Sequence, residues 1–260
     1  MATRDGRARA RRNEIRVLRA LHRFGWLRTR DLAVLAWRRW GRKPPAAPTW
    51  EPALPGASDL RMAQRTLARM YARHWLLSSA GPDGAVIYSL AEAGVRELRA
   101  LGISAKTGKD LMRFSGGYYY HRLSANELAV SAIAQGFRAA TEREIATQLW
   151  FGGGGIAGKR PDVLIRSRTH AWWVEVERSR KNAKDYAFLL KWLDAVRKDL
   201  LRPEGPQLLG PSLRWAQIVF ICSRAFETRL VTDLKDQGWT AELIHSVVRL
   251  TRGRYTGMPA

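Results

Sequence analysis

Asp162, Glu175 and Glu177 are the side chains whose types and spacing could do chemistry. They lie in two β-prone runs, Asp162-Val163-Leu164-Ile165 and Trp172-Trp173-Val174-Glu175-Val176-Glu177, separated by a short Arg/Ser/Thr-rich turn, and the pair reads as a hairpin. A two-residue turn at Arg168-Thr169 would set Asp162 directly opposite Glu175. Period-2 alternation then puts Glu175 and Glu177 on one face, away from Trp172, Val174 and Val176. Like charges gathered on one patch cost energy unless a cation joins them, and oxygen-only ligands suit Mg²⁺ or Mn²⁺. A metal on Asp162 and Glu175 would polarise a phosphodiester while Glu177 or a nearby lysine orients or deprotonates a water. The plainer alternative is a strip of surface carboxylates paired with Arg160, Arg178 and Arg180.

The elements that must position these groups follow from periodicity. Residues 121–140, with Leu123, Leu128, Val130, Ile133 and Phe137, read as a mostly buried helix whose polar exceptions are Glu127 and Gln135. A strand is expected around Glu144–Trp150 and then the acidic hairpin. A long helix over 180–200 carries Tyr186, Leu189, Leu190, Leu193 and Val196 on its inner face. Trp215–Cys222 reads as a buried strand, 224–237 as a helix and Leu243–Leu250 as a final strand, in the order α-β-β-β-α-β-α-β. Cys222, the sole cysteine, sits in an apolar run and reads as core packing in a reducing cytoplasm.

Pro161-Asp162, twelve intervening residues and Glu175-Val176-Glu177, within an αβββαβ order, resemble the PD-(D/E)XK nuclease fold. That resemblance implies a central mixed sheet and Mg²⁺- or Mn²⁺-dependent phosphodiester hydrolysis by Asp162, Glu175 and Glu177. Glu177 stands where the family pattern has Lys; some restriction endonucleases of the superfamily use a Glu-x-Glu version. Lys181 and Lys184 on the next helix, or Lys159, would supply the displaced cation, and Glu127 resembles the additional acidic metal ligand that some members place on the first core helix.

The chain has 45 Lys and Arg against 23 Asp and Glu, a net charge of +22, and 11 Trp in 260 residues. This composition excludes a disordered or collagen-like chain, and the charge excess makes nucleic acid the leading partner class. The excess is +14 over residues 1–120 and +8 beyond. Residues 1–12 read as a basic flexible arm, 13–102 as one domain, 103–117 as a linker ending in Ser115-Gly116-Gly117, and 118–260 as the second domain. No stretch is long and apolar enough to span a membrane.

In the first half, Ile15, Leu18, Leu21 and Phe24 mark a helix over 13–25 with Arg16, Arg19 and Arg23 on its outside. Thr29 is placed to cap a second helix through about Ala36, and a proline-rich insertion follows. Ser58 would cap a third helix, with Leu60, Ala63, Leu67, Met70, Tyr71 and Trp75 as its apolar stripe. Arg61, Gln64, Arg65, Arg69 and Arg73 project elsewhere, with the donor geometry to read base edges in a major groove; Arg28 and Arg30 are further candidate DNA contacts. Trp75-Leu76-Leu77 and Ala85-Val86-Ile87-Tyr88 flank the turn Gly81-Pro82-Asp83-Gly84 as a hairpin. The exit Tyr88-Ser89-Leu90-Ala91-Glu92-Ala93-Gly94, with a last helix starting near Ser89, resembles winged helix-turn-helix regulators.

Taken together, the two halves resemble the replication-relaxation proteins of plasmids and conjugative elements, in which a winged helix precedes a nuclease-like domain. The resemblance implies a cytoplasmic protein that binds double-stranded DNA in replication, mobilisation or maintenance, with a relaxase or replication protein as partner and a homodimer where the site is palindromic. The alternative is a non-catalytic accessory factor or transcriptional regulator. Gly153–Lys159 nearly spells a phosphate-binding loop, but Arg160 occupies the Ser/Thr position and Pro161 leads into a strand, so nucleotide binding is not expected. The five histidines lack metal-ligand spacing, and Tyr118-Tyr119-Tyr120 reads as packing or base stacking.

Overall fold

A computed structural model describes residues 2–112, 115–178, 181–202 and 207–252. Residues up to Tyr119 together with Asn126–Gly136 form one compact unit, and Tyr120–Ala125 with the residues from Phe137 onward form the other. A single helix, α5 (Gly116–Ala134), contributes residues to both units.

The first unit opens with α1 (Ala2–Phe24), which begins well before the expected start at residue 13, so residues 2–12 are helical. Val17, Leu18, Leu21 and Phe24 fill its inner face and are at most 1% exposed. Strand β1 (Trp26–Arg28) leads into α2 (Thr29–Ala36). Thr29 is not the cap: Arg28 precedes the first turn and its backbone N–H donates to Asp31 Oδ2 at 3.2 Å. Helix α3 (Ala57–Ala72) starts after Gly56 instead of Ser58, with Gly56 N–H donating to Asp59 Oδ2. Ala63, Leu67 and Met70 are buried as the stripe requires, whereas Tyr71 is 52% exposed.

Strands β2 (Leu76–Ala80) and β3 (Val86–Leu90) form the expected hairpin, Gly84 taking the positive φ of 76° that its turn needs. Strand β1 pairs antiparallel with the far edge of β3, completing a three-stranded sheet β1-β3-β2. Ser89 lies inside β3, fully buried; α4 (Glu92–Arg99) begins three residues later. Gly94 is required there, because a Cβ at that position would sit 2.2 Å from the Trp75 carbonyl oxygen.

In the second unit the strand expected near 144–150 is displaced. Strand β4 is Arg138–Ala140, and α6 (Glu142–Ala146) follows. The reason is a capping box: Thr141 Oγ1 accepts from Glu144 N–H and Glu144 Oε2 accepts from Thr141 N–H, which favours a helical turn over continued pairing. Strands β5 (Val163–Arg166) and β6 (His170–Glu177) pair in the expected register, Val163 opposite Val174, with Ser167 N–H donating to His170 O across the Arg168-Thr169 turn. Helix α7 (Ala183–Leu200), strand β7 (Arg214–Cys222) and helix α8 (Arg224–Asp236) come next. The expected last strand is instead α9 (Ala241–Val247), capped by Thr240, followed by β8 (Val248–Thr251).

The sheet order is β4-β5-β6-β7-β8, antiparallel through β6 and parallel from β6 to β8. Trp173 on β6, Trp192 on α7 and Trp215 on β7 form an aromatic cluster, with the Trp173 and Trp192 ring centroids 4.6 Å apart. Rings of this size each bury about 150–250 Å² and dominate the energetics of such a core. Cys222 is buried there, its thiol pushed up to about 12 by desolvation and the nearby Glu227 and Glu177 charges.

Candidate carboxylate centre and nucleic-acid interface

Asp162 immediately precedes β5, where its N–H donates to Val174 O at 3.0 Å. Its Oδ2 accepts from the Val176 N–H at 2.7 Å and lies 3.3 Å from His121 Nε2 on α5. Glu175 and Glu177 share one face of β6 with Trp173, as period-2 alternation requires, and both are buried. Glu175 Oε1 accepts from Trp173 Nε1 at 2.5 Å and its Oε2 lies 2.7 Å from Lys159 Nζ. Glu177 Oε1 lies 2.7 Å from Lys181 Nζ. Each carboxylate therefore has its own cationic partner, and each of those partners comes from a different segment.

Lys159 is fixed by its backbone. Ile156 N–H donates to Lys159 O and Lys159 N–H to Ile156 O, while Ala157 and Gly158 at the tip have φ of 49° and 80°. Two positive φ angles in a two-residue loop make a type I′ turn, and the left-handed conformation of Ala157 costs about 1–2 kcal/mol. Trp192 Nε1 donates to Ile156 O at 2.9 Å and holds the turn against the core. Pro161 and Asp162 lead into strand β5, as the sequence predicts.

Electrostatics separate the carboxylates. Burial raises the Glu175 carboxyl to about 7; Lys159 opposes the rise, and the Asp162 and Glu177 charges add to it. Burial raises Glu177 as well, against the pull of Lys181. Burial would raise Asp162 too, but the His121 hydrogen bond and charge, the Val176 N–H and Lys159 leave it below the usual carboxylate range. Burial would lower His121, yet Asp162, with Glu142 and Glu177 behind it, raises the imidazole to about 9. Near neutral pH the centre pairs an anionic Asp162 with an imidazolium and holds Glu175 close to its midpoint.

The hairpin brings together Asp162, Glu175 and Glu177, and Lys181 and Lys159 join them. Lys184 is exposed and forms no ion pair among the described residues. Glu127 does not join the hairpin carboxylates: it belongs to the first unit, where Arg28 Nη2 and Arg30 Nη2 hold its Oε1 at 2.7 and 2.6 Å. The alternative of surface carboxylates paired with arginines also fails for β6, since Glu175 and Glu177 are 4% and 6% exposed and face lysines. Arg160 Nε instead donates to Gly154 O, Arg178 lies over the Tyr120 ring, and Arg180 lies outside the described residues. His121 and Trp173 were not singled out from the sequence. Trp173 was findable as the same-face neighbour of Glu175, whereas nothing in the spacing marks His121.

A metal ion was expected on the acidic patch. Among the described residues, no three His, Cys, Asp or Glu side chains are grouped to hold one. Glu175, expected as a metal ligand with Asp162, has both carboxylate oxygens engaged, by Trp173 Nε1 and Lys159 Nζ, whereas Asp162 Oδ1 and Glu177 Oε2 make no hydrogen bond or ion pair among the described residues and are hard oxygens of the type that Mg²⁺ or Mn²⁺ takes.

In the first unit, Arg61, Gln64 and Arg65 are exposed on α3, and neither arginine forms an ion pair among the described residues. Arg69 and Arg73 turn back onto the buried Glu14 of α1, at 3.2 and 3.5 Å, so they brace the helix while keeping partial exposure. Arg28, expected at the surface, is 3% exposed; although burial opposes its charge, Asp31 and Glu127 hold it firmly protonated. Arg30 is 30% exposed and committed to Glu127. Of the tyrosine run, Tyr119 is fully buried, stacks on Trp26 and donates its hydroxyl to Asp83, Tyr120 is buried, and Tyr118 is 43% exposed. Among the described residues, no helix is long and apolar enough to cross a membrane. No protein-family model, curated protein or solved structure matches this chain.

Proposed function

We propose that this chain binds duplex DNA through a winged-helix unit and carries a PD-(D/E)XK-like phosphodiester-cleaving centre in its second unit. The observation that carries the reading is the meeting of Asp162, Glu175 and Glu177 at one hairpin, with Lys159 and Lys181 in direct contact with the two glutamates. The order α5-β4-β5-β6-α7-β7, with α6 inserted and β7 parallel to β6, supports it; so does the order α1-β1-α2-α3-β2-β3 in the first unit. A role in replication, mobilisation or maintenance of a plasmid or conjugative element rests on the resemblance to replication-relaxation proteins. Exposed Arg61, Gln64 and Arg65 on α3 would meet the major groove.

Asp162 and Glu177 would hold Mg²⁺ or Mn²⁺, which supplies Lewis-acid polarisation of the phosphodiester. Lys159 opposes the rise that burial imposes on the Glu175 carboxyl, and Trp173 fixes the carboxylate's orientation. Lys181 stands at Glu177 in the region where the family pattern has its lysine.

The competing reading is a non-catalytic factor that positions DNA for a separate relaxase or replication protein. It is favoured by the pairing of every carboxylate with a protein cation, which neutralises the patch without a metal. Nicking of supercoiled plasmid separates the two. Cleavage that requires Mg²⁺ or Mn²⁺ and disappears in Asp162→Ala/Glu177→Ala, with binding retained, supports the nuclease. Binding without cleavage by the wild type supports the accessory factor.

A further inference from the structure

Residues 1–12 are expected as a basic flexible arm, but α1 begins at Ala2, and the helical conformation aligns these residues with the rest of α1. Arg9, Arg12, Arg16, Arg19 and Arg23 recur at alternating spacings of three and four. At 3.6 residues per turn they fall within an arc of about 80° and form a continuous ridge about 21 Å long. The first four are exposed and Arg23 is half-buried against the Phe24 ring. Glu14 is the sole acidic residue between positions 9 and 23, and it lies on the opposite side, buried and held by Arg69.

We propose that this ridge is a second duplex-DNA contact, gripping backbone phosphates without regard to sequence while α3 meets the bases. The inference rests on the DNA-binding reading and adds a surface to it. Its length matches about six phosphates at 3.4 Å of axial rise per nucleotide.

The chemistry of the face selects the occupant. Only arginines lie on the ridge, so it offers no apolar anchor of the kind that centres a protein interface. No aromatic ring on it can stack an unpaired base, which separates it from single-strand grooves. The apolar face of α1, with Val17, Leu18, Leu21 and Phe24, is already consumed in the core and cannot enter a lipid surface. What remains is a row of planar, permanently charged groups suited to a repeating phosphate array.

The test is the salt dependence of binding by the full chain to two unrelated 30-base-pair duplexes, about 30 bp being enough to cover both contacts. Arg9→Gln/Arg12→Gln/Arg19→Gln is expected to weaken both duplexes by the same factor, tenfold or more, and to reduce the slope of log K against log salt by about 2–3, near 0.9 per phosphate lost. The corresponding triple Arg→Lys variant should keep most of the slope. Lys191→Gln/Arg224→Gln/Lys235→Gln, an equal charge change on exposed residues of the second unit, should reduce it less. Single Arg12→Gln and Arg19→Gln variants give the same readout if the triple variant loses helical circular dichroism.

An unchanged slope, equal losses in the two triple variants, or a loss confined to single-stranded oligonucleotide would overturn the proposal. Wild-type protein that binds no duplex would remove the DNA-binding reading along with it, whereas wild-type binding untouched by the ridge variants would remove the ridge alone.

Discussion

His121 Nε2 lies 3.3 Å from Asp162 Oδ2, joining the first helix of the second unit's core to the mouth of its acidic hairpin. The contact gives the fold a pH dependence whose sign is fixed. Burial opposes protonation, but Asp162 raises His121 from its ordinary 6.5 to about 9, so its stabilising share is fully present below about 6.5 and is lost as pH rises through 9. Denaturation midpoints should fall between pH 6.5 and 9.5. In His121→Asn that part of the fall should disappear; a slope identical to wild type would show that the imidazole is not the group responsible.

Lys159 and Glu175 form a pair whose two halves are unequal. Breaking a buried ion pair by removing one partner costs about 3–5 kcal/mol. In Lys159→Met that loss should be seen at pH 8, where the wild-type pair is ionised and the variant must either bury an unpaired carboxylate or take up a proton. It should shrink at pH 5.5, because a carboxyl raised to about 7 is already mostly protonated there in the wild type and little of the ion pair remains to be lost. Urea unfolding at the two pH values measures the difference.

Arg28 and the pair Arg61 and Arg65 separate architecture from binding. Arg28→Ala removes the buried guanidinium that Asp31 and Glu127 share, leaving Arg30 with Glu127, and is expected to cost about 3–5 kcal/mol. Arg61→Ala/Arg65→Ala touches exposed side chains and should leave stability within about 0.5 kcal/mol of wild type. Duplex affinity should nevertheless drop at least tenfold in that variant, measured by fluorescence anisotropy, and a drop of less than twofold would take α3 out of the interface.

Gly94 gives a test of packing alone. Gly94→Ala places a methyl 2.2 Å from the Trp75 carbonyl, so the start of α4 must move, at a cost of about 1–3 kcal/mol. Alanine is ordinarily the better helix former, so a stabilised variant would contradict the close approach.

The hairpin register was legible because a two-residue turn and period-2 alternation leave few solutions: Val163 meets Val174 as required. The helical extent of α1 was not, because residues 2–12 carry no apolar periodicity and consist mostly of charged and small side chains. The strand expected near 144–150 gives way to a local signal, Thr141 with Glu144 three residues on, which starts a helical turn there. Glu127 shows a different limit. Its type and helix position suited a metal ligand, but its partners, Arg28 and Arg30, lie about a hundred residues away in sequence, and only the folded chain reveals that they claim it. Both lysines at the centre are legible in the sequence as candidate cations, whereas the choice between Lys181 and Lys184 depends on where α7 begins.

Strand β7, nine residues long and buried over its last five, is flanked in the finished sheet by β6 and by β8. Strand β8 follows it by roughly 30 residues, so at about 5–20 residues per second the ribosome leaves that apolar edge unpaired for a few seconds after β7 has been made. During that interval the nascent chain offers an open strand to any neighbour able to add to it. Synthesis rate and chaperone supply therefore bear on the yield of this protein through the late arrival of four residues, Val248–Thr251.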